Sequence, residues 1–448
     1  MVSEGTSPRR PVLTLDELAP LSRRPERLYA LSAAELSVAF SQGLDLAEGK
    51  PLGHAQRVCY IAAAMADALG LSAPQRAGVF FGALFHDAGA PLAASEAYRM
   101  AGISETLLFE QSPLRSPEEL RSDMAIADVT VVLEAIHDHC VFGADIARSL
   151  ELPEEAAAAI ATHHDRWDGK GVLQERSGAE VPIEGRIVAA ADMAESIIAN
   201  EMSSLAARRH FGAAIARFAG AQLDPEIVTR LMDLMQSDAF WLGLYAEDLD
   251  ETLNASRPPA DSRKSRKRVF RFAEVFAGLT ANRGGHREEH FRRIADKAQM
   301  LAEAVGLDAG HVEMLRVAAL LLDVGHLGVP ARVMAKTDIL SVAEMQLMRD
   351  HPANSELVLQ GLNGFEEIAS WIARHHERPD GKGYPEMLTG DEIPLESRIL
   401  AVADVYAALT ADRPHRAALS PKDARQVLLG AAGTQLDPDL VHTFCSLI

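Results

Sequence analysis

The apolar residues of this chain fall in long blocks rich in alanine and leucine, separated by short polar or glycine-containing segments. The block that begins at His54 and ends at Gly70-Leu71 predicts a helix with a glycine stop. Residues 77–85 are almost all apolar, which predicts a buried helix that ends at His86-Asp87 and is stopped by Gly89. Aromatic residues make up only 5% of the chain, and this composition favours helices over sheets, so we expect an all-α fold.

A nine-residue segment that starts with two histidines occurs twice. It runs from His163 to Gly171 with the sequence HHDRWDGKG and from His375 to Gly383 with the sequence HHERPDGKG. Other positions repeat as well, at an offset of 236 residues before this region and of 212 residues from His139 onward. One length difference of 24 residues, located between positions 91 and 138, accounts for the change in offset. The chain is therefore an internal duplication.

The duplication predicts two domains in tandem. The first covers residues 31–250 and the second covers residues 269–448, after a polar lead-in over residues 1–30. Residues 251–268 are the predicted linker, because they contain adjacent prolines and the basic run 263–268. We interpret the basic run as a solvated part of this linker.

The formal net charge of −20 over 448 residues restricts the partners. It argues against DNA or RNA as a ligand, because nucleic-acid backbones bind to basic surfaces. A small anionic ligand is compatible with this charge, since a bound metal ion can supply local positive charge. The three cysteines show no paired or metal-binding spacing, and no apolar stretch reaches the roughly 18 residues of a membrane span. We therefore expect a cytoplasmic protein that does not contact a membrane.

Histidines and aspartates that recur between the two copies are the candidate metal ligands. Any one of them alone is more simply explained as an ordinary structural residue, but recurrence of the whole set in order favours metal binding. Five imidazoles and two carboxylates exceed one tetrahedral zinc site and suit two divalent ions of the Fe or Mn type. In the first copy the candidate ligands are His54, His86, Asp87, His139, His163, His164 and Asp192.

Two positions in this set need a special geometry. Asp87 is the candidate bridge between two ions, because it directly follows His86 where a helix is expected to end. Adjacent residues on a helix point about 100° apart. His163 and His164 can therefore both be ligands only if the ions lie over a helix end, or one of the two binds substrate instead.

The order of these residues resembles the HD superfamily of metal-dependent phosphohydrolases. The segment from His375 to Pro385, with the sequence HHERPDGKGYP, resembles the HD-GYP branch of this superfamily. The resemblance covers nearly all of residues 269–448 and, more loosely, residues 50–230. It implies two tandem HD-type helical bundles with two- or three-metal sites. It also implies hydrolysis of cyclic di-GMP or a related cyclic dinucleotide.

The two copies depart from the family pattern at different positions. The first copy has Val172-Leu173 in place of Tyr-Pro and Ala90 in place of a lysine. The second copy has Leu322 in place of a histidine ligand and His326 in place of the lysine. Because leucine cannot bind a metal, we expect two ions in the first domain and a partial set or none in the second, unless His326 or His286 substitutes. The candidate ligands of the second copy are His286, His290, Asp323, His351, His375, His376 and Asp404.

The leading hypothesis is a metal-dependent phosphodiesterase that hydrolyses a cyclic dinucleotide. The catalytic candidates are Asp87 as the bridging ligand and Arg166 and Lys170 as contacts to phosphate oxygens, while Asp168 is expected to hold the loop. One ion is assigned to His54, His86 and Asp192. The other ion is assigned to His139, His163 and His164. The candidate nucleotide-binding residues of the second copy are Arg378, Lys382, Gly383, Tyr384 and Pro385.

Two alternatives remain open at this stage. Both copies depart from the family at positions linked to activity, so the chain could be a cyclic-dinucleotide receptor or scaffold that hydrolyses weakly. It could also be an HD-type phosphohydrolase acting on another nucleotide such as (p)ppGpp, because the first copy lacks Tyr-Pro. The sequence leaves the base, the metal, the product and the oligomeric state undecided, and a homodimer is one option.

Overall fold

The computed structural model describes residues 25–109, 115–123, 126–173, 176–259, 264–283, 289–412 and 417–448. These residues form α-helices joined by short loops, and in this part of the chain β-structure is limited to isolated bridges. The all-α expectation is therefore confirmed. None of the described helices is both long and apolar enough to cross a membrane.

The first half of the chain begins with a short helix that precedes the first copy, and its last helix lies just before the linker. They are α1 Pro25–Leu28, α2 Ala33–Glu48, α3 His54–Ala68, α4 Ala73–Leu84, α5 Ala90–Ala101, α6 Glu105–Phe109, α7 Pro117–Asp123, α8 Ile126–Ser149, α9 Glu154–Thr162, α10 Ile183–Ala199, α11 Ser204–Ala216, α12 Pro225–Leu234, α13 Asp238–Leu244 and α14 Leu249–Leu253. Short 3₁₀ helices lie at Gly178–Glu180 and Asn254–Ser256.

The second half repeats much of this order. Its helices are α15 Arg266–Arg283, α16 Glu289–Ala304, α17 Ala309–Leu320, α18 Ala331–Met334, α19 Val342–Arg349, α20 His351–Leu359, α21 Glu366–Ala373, α22 Leu395–Leu409, α23 Pro421–Ala431 and α24 Pro438–Leu447. Short 3₁₀ helices lie at Val324–Gly328 and Gly390–Glu392.

Local capping explains where several of these helices begin. The Ser32 hydroxyl accepts a hydrogen bond from the backbone N–H of Glu35 at 3.1 Å, and the Glu35 carboxylate accepts one from the backbone N–H of Ser32 at 2.8 Å. This reciprocal pair is a capping box, which satisfies two backbone donors at the start of α2. The sequence assigns the whole basic run to the linker. In the structure, helix α15 already begins within this run, at Arg266. Arg268 donates to the carbonyl of Leu31 at 2.9 Å, so contacts with the first half order this part of the run.

Helices α2 and α15 lie between the two halves and connect them. They occupy equivalent positions in the repeat, and each packs against elements of the opposite half. Phe40 of α2 and Phe276 of α15, which are 236 residues apart, meet with ring centroids separated by 4.3 Å. Both rings are buried, and one apolar core runs through both copies.

The first copy carries additional helices in the region where the repeat offset changes. Helices α6 and α7 and the N-terminal part of α8 pack around a separate small apolar cluster that includes Leu108, Leu120 and Ile136. Glu105 of α6 reaches the second half, where its carboxylate accepts hydrogen bonds from Arg283 at 2.9 Å and from the backbone N–H of Ala331 at 2.7 Å. The additional segment is therefore attached to both copies.

Candidate metal centres and nucleotide pocket

A sharp turn between α4 and α5 presents His86 and Asp87. The expectation that Gly89 stops the preceding helix is wrong, because α4 already ends at Leu84. Gly89 has a different role: a Cβ atom at this position would lie 2.0 Å from the carbonyl oxygen of His139 on α8. Only glycine allows this close approach, which brings Asp87 next to the His139 side chain.

Asp87 lies at the centre of the candidate ligands in the first copy. Its Oδ2 atom is 2.8 Å from His86 Nε2, and its Oδ1 atom is 3.3 Å from His139 Nε2. Two groups of potential metal ligands have all their donor atoms within 4.8 Å of one another, and Asp87 belongs to both. One group is His54, His86 and Asp87; the other is Asp87, His139, His163 and His164.

His163 and His164 lie where helix α9 ends. The helix stops at Thr162, and the two imidazole centroids are only 3.8 Å apart. His163 Nδ1 faces the carbonyl oxygen of Ile160 at 2.6 Å, which directs Nε2 away from the helix. The Nε2 atoms of both histidines are buried and have no hydrogen-bond partner among the described residues. The helix end thus allows both imidazoles to belong to one group of potential metal ligands.

A buried carboxylate that sequence reasoning missed orients His54. Glu195 Oε2 is 2.6 Å from His54 Nδ1, and Glu195 Oε1 accepts a hydrogen bond from Arg57 Nε at 2.7 Å. His54 Nε2 consequently faces Asp192, at 3.6 Å from its Oδ1 atom. The sequence does contain a signal for this arrangement: Arg57 follows His54 by three residues and Glu195 follows Asp192 by three, which places each pair on one helix face.

The electrostatic environment affects the candidate ligands in different ways. Burial would lower the pKa of His86, but the charges of Asp87 and Asp192 and their hydrogen bonds raise it well above the ordinary value. Burial, together with the imidazoles of His139 and His86, lowers the pKa of His163 to about 3. Burial alone would raise the pKa of Asp192, but the hydrogen bond and charge of His86 lower it to about 2. Burial likewise opposes ionisation of Asp87, but His86 and His139 hold its pKa well below the ordinary value. A neutral imidazole beside two carboxylates is the donor set that divalent metal ions bind.

Two further residues border the first-copy cluster and were also missed. Burial lowers the pKa of Lys50, but the charges of Asp192, Glu48 and Asp87 outweigh this effect and raise it. Burial and the adjacent Asp87 carboxylate raise the pKa of Glu48 well above its ordinary value. Lys50 lies four residues before His54, at the position that His286 occupies in the second copy, and this spacing is the signal that could have identified it.

The Asp-Gly-Lys-Gly loop of the first copy is held by Asp168, in line with its expected role. Its carboxylate accepts two hydrogen bonds from the Arg166 guanidinium, at 3.0 and 2.7 Å, and one from the backbone N–H of Lys170 at 3.0 Å. The Arg166 side chain is buried, whereas Lys170 is exposed. Arg166 is therefore engaged in folding the loop, and Lys170 has the freer side chain for a phosphate contact.

The second copy brings together only part of its candidate ligands. Asp323 Oδ1 lies 3.3 Å from His351 Nε2 and 3.6 Å from His375 Nε2. Leu322 is fully buried at the position equivalent to His86. His290 and Asp404 belong to none of the groups of three or more potential ligands found among the described residues. His286 lies outside the described residues.

A pocket of about 690 Å³ adjoins the second-copy cluster. Its walls include the basic residues Arg349, Arg378 and Lys382, together with Tyr384 and Asp404. The Tyr384 ring stacks on His376 with centroids 4.9 Å apart. The Arg349 guanidinium lies over the Tyr384 ring, 5.3 Å from its centroid. Three cations and an aromatic ring are suited to a phosphate-containing ligand with a planar base.

The loop that shapes this pocket is held by a buried carboxylate. Glu377 accepts hydrogen bonds from the backbone N–H groups of Glu386, Met387 and Leu388, at 2.6, 3.1 and 2.9 Å. The Tyr384-Pro385 peptide bond within this loop is cis. A Cβ atom on Gly383 would lie 2.5 Å from the backbone nitrogen of Arg378, so glycine is required where the loop folds back. Gly383 and Pro385 thus shape the loop that presents Tyr384.

Comparison with known proteins identifies the class. Two family models, both described as HD domain, match residues 52–196 and 274–440. The chain belongs to the HD superfamily of metal-dependent phosphohydrolases and contains two HD domains, which confirms the resemblance seen in the sequence. HD domains bind metal ions, and the histidine and aspartate clusters of this chain fit that property.

Several characterised proteins are similar to the chain. A 3'3'-cGAMP-specific phosphodiesterase of Vibrio cholerae is 28% identical over 438 residues, which cover 91% of this chain and 92% of the relative. The crystal structure of a cyclic GMP-AMP specific phosphodiesterase of Vibrio cholerae, V-cGAP3, matches with a TM-score of 0.65 and 26% identity, over 93% of this chain and 97% of that one. A cyclic di-GMP phosphodiesterase response regulator of Xanthomonas campestris is 36% identical over 198 residues, but these are only 44% of this chain and 51% of the relative.

Proposed function

We propose that this protein is a metal-dependent phosphodiesterase that hydrolyses a cyclic dinucleotide, and that hydrolysis takes place in the first domain. The observation that carries the proposal is the position of Asp87, which belongs to both ligand groups of the first copy. A carboxylate has two oxygen atoms and can bind one ion with each. Two ions held close together are the arrangement that many phosphoester hydrolases use.

Similarity to known enzymes supports the substrate class. The Vibrio cholerae relative that matches over almost the whole chain is described as specific for 3'3'-cGAMP. The relatives described as cyclic di-GMP phosphodiesterases include the Xanthomonas campestris protein, which covers less than half of this chain. We therefore take 3'3'-cGAMP as the first substrate to test and cyclic di-GMP as the second.

The chain's donor atoms suit two divalent ions of the Fe or Mn type, because imidazole and carboxylate are mixed in one site. His54, His86 and Asp192 are assigned to one ion. His139, His163 and His164 are assigned to the other. Bound ions would supply positive charge to the phosphate and lower the pKa of a coordinated water towards neutrality.

The exposure of the candidate ligands in the first domain determines the side from which a substrate approaches. The cluster histidines are almost completely buried, whereas the side chains of Asp87 and Asp192 are 15% and 24% exposed. The phosphodiester therefore reaches the site from the carboxylate side. Lys50 lies among these carboxylates, and its ammonium group can contact a phosphate oxygen there. Lys170 remains a second candidate for this contact.

The second domain is proposed to bind a nucleotide. Its pocket of about 690 Å³ is of the size that small-molecule ligands occupy, and it offers Arg378, Lys382 and Tyr384. The same domain has Leu322 in place of a metal ligand. These two observations favour binding over hydrolysis in this half of the chain.

Removing the shared carboxylate tests the assignment of the active site. In the full chain, Asp87→Ala is expected to lose both first-domain ions and to reduce hydrolysis to background, because each ion loses one of its ligands. Metal content is measured by elemental analysis, and turnover of 3'3'-cGAMP, cyclic di-GMP and (p)ppGpp is measured by chromatography.

Asp323→Ala, the equivalent change in the second copy, is the matched control and is expected to retain hydrolysis. If Asp323→Ala abolishes turnover while Asp87→Ala retains it, the active site lies in the second domain. Binding of a cyclic dinucleotide without turnover by the metal-loaded chain would instead identify a receptor. Turnover of (p)ppGpp alone would contradict the proposed substrate class.

A further inference from the structure

A buried arginine of the second copy reaches into the first copy. Arg283 is the last residue of α15, and its side chain is 1% exposed. Its Nη2 atom donates hydrogen bonds to the Glu105 carboxylate at 2.9 Å and to the carbonyl oxygen of Ala47 at 3.3 Å. Its Nε atom donates to the carbonyl oxygen of Val329 at 3.1 Å. Segments of both copies therefore fix the position of this guanidinium group.

The carboxylate that pairs with Arg283 is fixed as well. Glu105 also accepts a hydrogen bond from the backbone N–H of Ala331 at 2.7 Å, so the second copy sets the orientation of this ion pair. Burying two charges costs desolvation energy, and apolar side chains of similar size can join two surfaces equally well. The pair is therefore not the simplest way to hold the two halves together.

One nitrogen of the guanidinium group is left for the first-copy site. Arg283 Nη1 is buried and has no hydrogen-bond partner among the described residues, and the same is true of Oε1 of Glu48, the residue that follows Ala47. Burial lowers the pKa of Arg283, and the charges of Glu105 and Glu48 oppose this effect. A buried donor and a buried acceptor of opposite charge attract each other. Arg283 is therefore placed to hold the Glu48 side chain.

Glu48 in turn contacts the central candidate ligand of the first copy. It is the last residue of α2, it is buried, and its side chain is hydrogen-bonded to Asp87. Two neighbouring carboxyl groups repel each other when both are charged, and a cation beside one of them reduces this repulsion. A line of contacts thus runs from Arg283 through Glu48 to Asp87.

Only the second copy supplies this arginine. The repeat offset of 236 residues makes Ala47 the equivalent of Arg283, so the first copy has a methyl group at this position. Alanine has no donor with which to make the reciprocal contact. The second copy therefore contributes to the site of the first, and the first copy makes no equivalent contribution in return.

We propose that Arg283 is a positioning residue of the first-domain site, which holds Glu48 beside Asp87 and thereby keeps Asp87 in place to bind metal. The second half of the chain thus completes the site of the first half, in addition to sharing a core with it. This inference rests on the proposed role of Asp87 as a metal ligand, but not on the identity of the substrate.

A double-mutant cycle on the full chain tests whether Arg283 acts through Glu48. The apoproteins are titrated with Mn²⁺ by calorimetry, and the first-domain binding is identified as the part that Asp87→Ala loses. We expect Arg283→Met to weaken this binding by at least about tenfold, the effect typical of residues that orient metal ligands. In the Glu48→Gln background, the same substitution should change the affinity by less than about twofold, because the carboxylate that it acts through is gone.

Two further variants separate positioning from simple adhesion of the halves. Arg283→Lys keeps the positive charge and is expected to bind Mn²⁺ more tightly than Arg283→Met. Arg268→Met is the matched control, because Arg268 of the same helix also joins the halves, by a hydrogen bond to the carbonyl oxygen of Leu31 at 2.9 Å. It is expected to keep the Mn²⁺ affinity of the wild type. Thermal unfolding of the apoproteins checks that each variant folds, and if Arg283→Met does not fold, Arg283→Lys takes its place in the cycle.

Unchanged Mn²⁺ affinity in Arg283→Met would overturn the inference. Equal effects of this substitution with Glu48 and with Gln at position 48 would overturn it too, because Arg283 would then act by another route. If Asp87→Ala retains both of its ions, the proposed function fails and this inference fails with it. Loss of the ions in Asp87→Ala together with wild-type affinity in Arg283→Met would refute the role of Arg283 alone.

Discussion

At the scale of single residues, the chemistry of the first-copy site depends on side chains that do not themselves face a metal position. Glu195 is hydrogen-bonded to both His54 and Arg57 and fixes which nitrogen of His54 carries the proton. The equivalent residue of the second copy is Ala407, so this carboxylate is absent there. The first copy therefore has a support for its candidate ligands that the second copy lacks.

Glu195→Gln tests this support. The amide still fills the space, but it provides less negative charge to His54 and Arg57, so we expect metal affinity of the first domain to fall by about 10- to 100-fold. Isothermal titration with Mn²⁺ measures the change. Glu201→Gln is the control, because Glu201 also pairs with a histidine, His210, but at the surface. Equal affinity of Glu195→Gln and the wild type would contradict a positioning role.

At the scale of secondary-structure elements, the decisive contact is the one between the turn that carries the aspartate and the helix that carries His139 or His351. Gly89 in the first copy and Gly325 in the second have the same environment: a Cβ atom would lie 2.0 Å from the carbonyl oxygen of His139 or His351. Both copies thus use a glycine to bring an aspartate next to a histidine that is distant in sequence. The candidate metal ligands come together because two backbone segments touch.

Gly89→Ala should separate these segments. The added methyl group must push the turn away from α8, which we expect to cost about 1–3 kcal/mol of stability and to lower metal content of the first domain. Chemical unfolding and elemental analysis measure the two effects. Gly278→Ala in α15 is the control, because its Cβ atom would meet nothing within 4 Å, and it is expected to be neutral or stabilising. Normal metal content in Gly89→Ala would show that the close approach is dispensable.

At the scale of the whole molecule, the two copies are joined by a common core. The Phe40 and Phe276 rings pack at the centre, and the buried pair of Glu105 and Arg283 joins the additional helices of the first copy to the end of α15. An isolated half would expose one of these phenylalanines. The two copies should therefore unfold together.

Phe40→Ala tests this coupling. Deleting a buried phenylalanine side chain leaves a cavity and is expected to cost about 3–5 kcal/mol. Because the cavity lies between the copies, we expect one unfolding transition at a lower temperature in scanning calorimetry. Leu242→Ala, which shortens a side chain that is 75% exposed, should leave this transition almost unchanged. Two separate transitions, of which only one shifts, would show that the copies are independent.

Local chemistry explains what the sequence alone determined. The all-α fold, the duplication, the capping box at Ser32 and the recurring ligand set from His54 to Asp192 depend on residue types and their spacing along the chain, so they could be predicted. The family pattern also revealed the lost ligand at Leu322.

Only the tertiary structure decided which of these residues meet. Asp87 is shared between two ligand groups, Glu195 lies on His54, and His326 joins His351, because helices distant in sequence pack together. Spacing along the chain does not specify those distances; they depend on packing contacts such as that of Gly89 against α8.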